Sequence, residues 1–540
     1  MQFDLAIING TIIDGTGQPR FKADLGIREG RIAAVARGQS LTGQRTIDAA
    51  GLIVSPGFVD VHSHSDWVLP QPDHDQVLAP YALQGITTLA TGNCGTTPAP
   101  ITDESLPFVD DRSATTRDGT FPYRWRSFGE FLDRIEEDGL FLNAAFLVGH
   151  GTLRYGVMGE RASAPSAEEL AALLSLLRQS IREGAFGLSV GLAYVPGIFA
   201  DNDELLALLR IVVQEDGVYT VHGRSYQYVS PFYQSTDIPH NVLSNREQLD
   251  LARQSGVKIQ LSHLIFNGRR AWTTYGTVLQ DIEHAAEEGV DVAFDAFPYV
   301  VGNTTIKVLF PAWFLDGFTQ NIDNQAALSR LGEEVPTRLK AAGRGFGDII
   351  LLWTHIPELS EFEGLNFSTI AERLNMPDFA AYTHIARLSE GKARILHGPF
   401  SGDWDYEEPL RAVLAHPLCA FETDTTLTRR GKQNPASFGT YPRLLGRYCR
   451  DLGLFSLEEA VRRSTSFPAQ RIGLKDVGRI AEGLWADLVL FDPATVSDNT
   501  THDHFDVPPS GIRAVAVSGY ILVEDGKIVS RERPGRVLRR

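Results

Sequence analysis

Short apolar runs recur along most of this chain, and their spacing to polar positions changes between the ends and the middle. At the front, DLAIINGTIIDGTG and ADLGIREGRIAAVA read as strands, with turn signals at Asn9-Gly10, Asp14-Gly15 and Glu29-Gly30. At the back, WADLVLFDP and GIRAVAVSGYILVEDGKIV read the same way, with a turn at Asp525-Gly526. Neither end carries enough apolar surface to fold by itself. The pattern predicts one small β-sandwich built from residues 1–55 and 476–540, with the rest of the chain inserted between its halves. Two separate β tails are the alternative.

Between the ends, apolar β-branched runs alternate with helical periodicity, the pattern of repeated βα units. Eight strands are predicted: Phe58–His64, Ile86–Thr91, Asn143–Gly149, Ala185–Gly191, Val218–His222, Val257–His263, Val292–Phe297 and Leu418–Asp424. That count predicts an α/β protein with a (β/α)8 TIM-like barrel over residues 56–475. A helix such as SAEELAALLSLLRQSIREG has Ser166 as its N-cap and Gly184 just past its end. Residues 300–415 are too long for one connection and hold further strand-like runs, DIILLWTH and ARILHG, so they read as an insertion before the last barrel strand that covers part of the active site.

Composition adds boundaries to this picture. Hydrophobic residues make up 43% and charged ones 22%, an ordinary globular balance, and no apolar run approaches the roughly 20 residues that cross a bilayer. With 50 basic against 67 acidic residues the formal charge is −17, which argues against general affinity for nucleic acid or anionic membrane. The first residues lack the basic and continuously apolar segments of a signal peptide. Cys94, Cys419 and Cys449 are too few and too scattered for a disulfide framework, so the expected location is the cytoplasm. No segment marks a subunit interface, and a homo-oligomer stays open.

Chemistry gathers at the C-terminal ends of the predicted strands, where barrel enzymes keep their sites. His62 and His64, in GLIVSPGFVDVHSH, are two residues apart on one strand; their side chains project the same way, roughly 6.5–7 Å apart, and can converge on one ion. Cys94, His222, His263 and Asp424 end other runs. His, Cys and carboxylate together suit Zn²⁺ better than Mg²⁺ or Ca²⁺. Each has a bland alternative, as a hydrogen-bonded structural His, a small buried Cys, or, for Asp424, a helix N-cap before TTLTRR.

PGFVDVHSHSD, GITTLATGNCG, LVGHGTLR, GAFGLSVGLAYVPG, DAFPY, GTYPRLLGRY and KDVGRIAEGLWADLVLFDPATV together resemble segments of the N-acyl-D-amino-acid deacylase (D-aminoacylase) family within the amidohydrolase superfamily. The resemblance runs nearly end to end. Most binuclear amidohydrolases bridge their metals with a carboxylated lysine, whereas this family uses a cysteine, and GNCG is similar to its signature. The resemblance implies that Cys94, His222 and His263 hold one tight zinc, that His62 and His64 form a second, weaker position, and that Asp424 is the catalytic aspartate. It implies hydrolysis of an amide carbon–nitrogen bond by a metal-bound water, with Asp424 as general base and then general acid. Tyr299 matches a family tyrosine near the carbonyl and would donate to the developing oxyanion. His150 in LVGHGTLR falls outside the ligand set, and a supporting or structural place is expected for it.

Two departures redirect the substrate. Where the family has SHxK, this chain has Ser262-His263-Leu264-Ile265; where it has HPR, this chain has Asn434-Pro435-Ala436. The lysine and arginine that would hold a substrate carboxylate are replaced by Ile265 and Ala436, and a carboxylate desolvated there without partners would cost several kcal/mol. The expected small-molecule substrate is therefore an apolar or uncharged linear amide. Arg224 and Tyr226, in VHGRSYQYVSPFYQ, are expected in the pocket, with Tyr228, Phe232 and Tyr233 as a further aromatic lining. Arg269, Arg270, Arg429, Arg430 and Lys432 are the cations that could restore carboxylate binding. The alternatives left open are the same metal site acting on an N-acyl-D-amino acid, cyclic amide, carbamate or ester, and a non-catalytic barrel that only binds.

Overall fold

A computed structural model describes residues 3–38, 40–117, 123–234, 236–501 and 504–540 of the 540. Strands from both chain ends form one nine-stranded sheet. Its order runs Lys527–Ile528, Tyr520–Glu524, Ile512–Val517, Leu488–Phe491, Ile53–Pro56, Phe3–Ile12, Phe21–Arg28, Arg31–Ala36, with Gly43–Asp48 also pairing to Phe3–Ile12. Glu29-Gly30 and Asp525-Gly526 make tight hairpin turns because all four residues take positive φ, the geometry that matches strand twist. Asn9-Gly10 differs from the expected turn: Asn9 has φ 62° but the strand continues, and the register slips between Ile7 and Gly10 as a bulge. A side chain at Gly10 would meet Val54 at 2.7 Å, so the close neighbour strand requires the glycine. The C-terminus also departs from the expected boundary: Val537–Leu538 leaves this sheet and pairs in parallel with Asn143–Phe146.

The middle of the chain is α/β. One parallel sheet has the order Val537–Leu538, Asn143–Phe146, Ile86–Thr91, Phe58–Ser63; a second has the order Cys419–Phe421, Val292–Ala296, Lys258–Leu261, Val218–His222, Gly187–Gly191, Val148–Gly149. Backbone hydrogen bonds join the two sheets at both margins, Phe186 N to Phe146 O at 2.8 Å and Asp424 N to His62 O at 3.0 Å. The strands that end at Leu261 and Phe421 stop short of the expected limits, where His263 and Asp424 leave extended geometry. Helices cover the outside. Ala167–Arg182 begins with a reciprocal capping box between Ser166 and Glu169 and ends just before Gly184.

Within residues 300–415, Gly302–Thr305, Arg394–His397 and Ile349–Trp353 form an antiparallel three-stranded sheet. Helices such as Gln325–Ala341 and Asp378–Leu388 pack on it around a separate core that includes Phe314, Leu331, Phe367 and Tyr382. Among the described residues no helix is long and apolar enough to cross a membrane.

Candidate metal centre

The strand ends bring six of the expected residues together. Cys94 Sγ lies 3.5 Å from His62 Nε2, 3.6 Å from His222 Nδ1 and 3.5 Å from His263 Nε2. Asp424 Oδ1 lies 3.5 Å from His62 Nε2 and 3.3 Å from His64 Nε2. Two sets of ligand atoms, each within 4.8 Å of one another, share the cysteine: Cys94 with His222 and His263, and Cys94 with His62, His64 and Asp424.

This convergence depends on unusual backbone. Cys94, His263 and Asp424 sit at φ 56°, 32° and 45°, in the left-handed region that side chains other than glycine disfavour. Tertiary hydrogen bonds hold them there: His263 N donates to Asp295 Oδ1 at 2.6 Å, and Asp424 N to His62 O. Gly95 allows the cysteine loop to pass close over the next strand, since a side chain there would lie 2.4 Å from Gly191 N. No helix follows Asp424, which removes the N-cap reading.

Charge is tuned by the same contacts. Burial alone would raise the Cys94 thiol, but the His62 charge and hydrogen bonds from His222 and His263 outweigh it and hold the group well below the ordinary thiol range. Burial would likewise raise the Asp424 carboxyl, yet His263, the hydrogen bond from His64 and the charge of His62 hold it below its ordinary value. A cysteine, four histidines and a carboxylate thus converge as a donor set that fits Zn²⁺.

Two buried acids support this set and were not singled out in the sequence. Asp295, in DAFPY, faces His62 Nδ1 at 3.2 Å through Oδ1 and accepts from Gln260 Nε2 at 2.7 Å through Oδ2. Its carboxylate fixes the His62 tautomer and leaves Nε2 free to ligate. If zinc occupies the His62–His64 position, Asp295→Asn is expected to weaken it there by about 10- to 100-fold, and to a lesser extent at Cys94–His222–His263. Zinc stoichiometry in metal buffers checks this; equal loss at both positions would contradict it. Asp60, in FVDVHS, accepts from Thr423 N at 3.0 Å and Thr423 Oγ1 at 2.7 Å and so ties the first strand to the last. Tyr194, in GLAYVPG, was also missed: its ring lies 4.6 Å from the His222 ring and under Arg112 at 5.7 Å.

The other expected residues have partners of their own. The Tyr299 hydroxyl donates to Asp498 Oδ2 at 3.0 Å, and Arg443 sits over its ring, so that donor is committed away from the metal centre. Arg224 is spent on Glu247 at 2.9 Å and on the carbonyls of Ile198 and Ala200. The Tyr226 hydroxyl accepts from Gly223 N and donates to Ser262 O, and its ring braces His222 and His263 edge-on at 4.9 and 5.0 Å. The further aromatic lining disperses: Tyr233 donates to Glu247, Tyr228 lies under Arg270, and Phe232 is exposed. Of the other nearby cations, Arg269 pairs with Asp348 and Asp403, Arg429 with Asp73, and Lys432 with Asp506. His150 is buried against Glu204 at 2.7 Å, outside the ligand set. Ile265 and Ala436 do come together, in an apolar cluster with Phe297, Tyr299 and Phe400.

Comparison with known proteins adds a lineage to this geometry. The model of the amidohydrolase family matches residues 45–299 and 381–529. The D-aminoacylase of Alcaligenes xylosoxydans xylosoxydans is 32% identical over 540 residues, covering 100% of this chain and 98% of the relative. The structure of N-acyl-D-glutamate deacylase from Bordetella bronchiseptica, complexed with zinc and a phosphonate inhibitor, aligns at TM-score 0.79 and 30% identity, covering 100% of both chains. A D-aminoacylase structure, described as having a binuclear metal centre with one-metal activation and second-metal attenuation, aligns at TM-score 0.80 and 31% identity, again over 100% of both.

Proposed function

From the premise that this chain belongs to the amidohydrolase family of metal-dependent enzymes acting on carbon–nitrogen bonds other than peptide bonds, we propose that it is a zinc-dependent hydrolase of linear N-acyl amides. The observation that carries the reading is the cysteine shared between two ligand sets, with an ionised Asp424 in the second. Cys94, His222 and His263 would hold the tighter zinc, and His62 and His64, beside Asp424, a second and weaker one. Zinc bound there supplies a Lewis acid toward both water and the amide carbonyl.

Everything else falls to the chain's own groups. Asp424 takes the proton of the attacking water and returns it to the departing nitrogen, which leaves poorly unless protonated. With Tyr299 committed to Asp498, Tyr194, whose ring lies beside His222, would donate to the carbonyl oxygen as charge develops on it.

The substrate is an amide without a free carboxylate beside the scissile nitrogen. Ile265 and Ala436 pack with Phe297 and Phe400, so the place of the two family cations is apolar. Ile265→Lys is expected to improve hydrolysis of an N-acyl-D-amino acid at least about 10-fold over the parent, the scale of a hydrogen bond to a charged group. Unchanged selectivity between the acid and its neutral amide would count against the assignment.

With Asn143–Phe146 and Val148–Gly149 taken as one strand and Val537–Leu538 set aside, eight parallel strands fit a (β/α)8 barrel. Val61, Ala90, Ala145, Val218 and Ala420, from five of those strands, share one buried cluster of the kind that fills a barrel interior. Residues 56–475 would form the barrel with its insertion at 300–415, and residues 1–55 and 476 onward the β domain up to the final strand. Three unpaired cysteines fit a cytoplasmic location.

A further inference from the structure

The insertion carries polar groups to the apolar end of the site, His397 among them. His397 ends the strand Arg394–His397, and the chain beyond it is laced to the loop that follows His263. Gly268 N donates to Pro399 O at 2.9 Å, and Ser401 N to Phe266 O at 3.0 Å. The His397 ring stands edge-on to Phe400 at 4.8 Å, and Phe400 belongs to the cluster with Ile265 and Ala436. Arg344, Asp424 and His222 are the side chains whose charge bears on this ring.

Arg344 sets the state of that ring. It is 7% exposed, and its guanidinium donates to Asn267 Oδ1 at 2.8 Å and to His397 Nδ1 at 3.1 Å. Its Nε has no partner, and among the described residues no carboxylate accepts from it. A guanidinium only donates, so His397 Nδ1 must accept, and the ring hydrogen resides on Nε2. Burial, and then the Arg344 charge, hold the imidazole well below its ordinary pKa, so it stays neutral. Nε2 takes no hydrogen bond among the described residues and is left as a single neutral donor, polarised by the cation behind it.

We propose that His397 is a specificity-determining residue whose Nε2–H binds a neutral carbonyl oxygen at the non-reacting end of the substrate, with Arg344 as the positioning residue that fixes the ring. The proposal rests on the reading of an uncharged amide substrate and deepens it to amides bearing a carboxamide or ester. One N–H satisfies a carbonyl oxygen. A carboxylate in the same place would leave its second oxygen against Ile265, Phe400 and Ala436, where an unpaired ionised oxygen is costly.

The test compares N-acetyl-D-leucinamide, N-acetyl-D-leucine and N-acetyl-isopentylamine, the last lacking the second carbonyl, with zinc-loaded parent, His397→Leu and His397→Gln. His397→Leu should raise KM for the leucinamide by about 10- to 100-fold with kcat little changed. It should leave the isopentylamine amide unaffected, and His397→Gln, which keeps a terminal N–H, should recover much of the loss. Zinc content and thermal unfolding check that the variants fold; His397→Asn, whose shorter amide ends near Nδ1, replaces His397→Leu if that variant does not. An unchanged KM for the leucinamide, or an equal loss on both amides, overturns the proposal. If the parent turns over the acid and neither amide, the uncharged-substrate reading fails and the neutral-carbonyl role of His397 falls with it, whereas turnover of the leucinamide with an unchanged KM in His397→Leu overturns the role of His397 alone.

Discussion

Asp424→Asn yields a folded, zinc-loaded protein whose turnover of an N-acyl amide falls by roughly 10²- to 10⁴-fold, the range that a positioned proton carrier contributes. Asparagine keeps the shape and can still accept through Oδ1, so the contacts to His62 and His64 at 3.5 and 3.3 Å have a neutral substitute. What it loses is a site for the proton. His263, His64 and His62 overcome burial to keep the native carboxyl ionised, so it is ready to accept from water at neutral pH. The loss should appear in kcat, with KM nearly unchanged, because the group acts only as the proton moves. Near-normal turnover by the folded variant would remove Asp424 from the mechanism.

Cys94→Ser removes the one atom common to both ligand sets. The thiol is held ionised by three histidines, and a serine hydroxyl in that place stays neutral and is a poor ligand. On the proposed reading the expected result is a fall in zinc affinity beyond the roughly 10- to 100-fold that disturbed supporting groups produce, with activity lost in parallel. Serine adopts the same backbone at φ 56° as readily as cysteine, so folding is not the cause. Zinc titration followed by assay at saturating metal separates the two effects. Full zinc affinity in this variant would show that the histidines suffice without the bridge.

The chain order of the site was legible because barrel strands carry their chemistry at one end. His62, Cys94, His222, His263 and Asp424 each close an apolar run, and in the structure they meet. Asp295 closes such a run too, but a lone carboxylate inside DAFPY has nothing in its spacing to separate it from its neighbours; only the His62 ring opposite gives it meaning. Tyr299 shows the reverse error. Its partner Asp498 lies 199 residues later, in a loop that no local pattern could bring to it. Arg344 and His397 belong to the insertion, whose fold rests on its own core, so their meeting with the loop after His263 is a tertiary event. The end strands were readable from turn chemistry, except at Asn9-Gly10, where a dipeptide that favours hairpins serves a bulge because Phe3–Ile12 has partners on both sides.

The most direct test of this account is the hydrolysis, by zinc-loaded protein, of one matched pair: N-acetyl-D-leucine and N-acetyl-D-leucinamide. Under the proposed reading, cleavage of the amide over the acid is predicted, because Ile265 and Ala436 lie in an apolar cluster with Phe297 and Phe400 while the candidate ligands converge with Asp424. Preference for the acid would mean that other groups hold the carboxylate and would contradict the reading of an uncharged substrate.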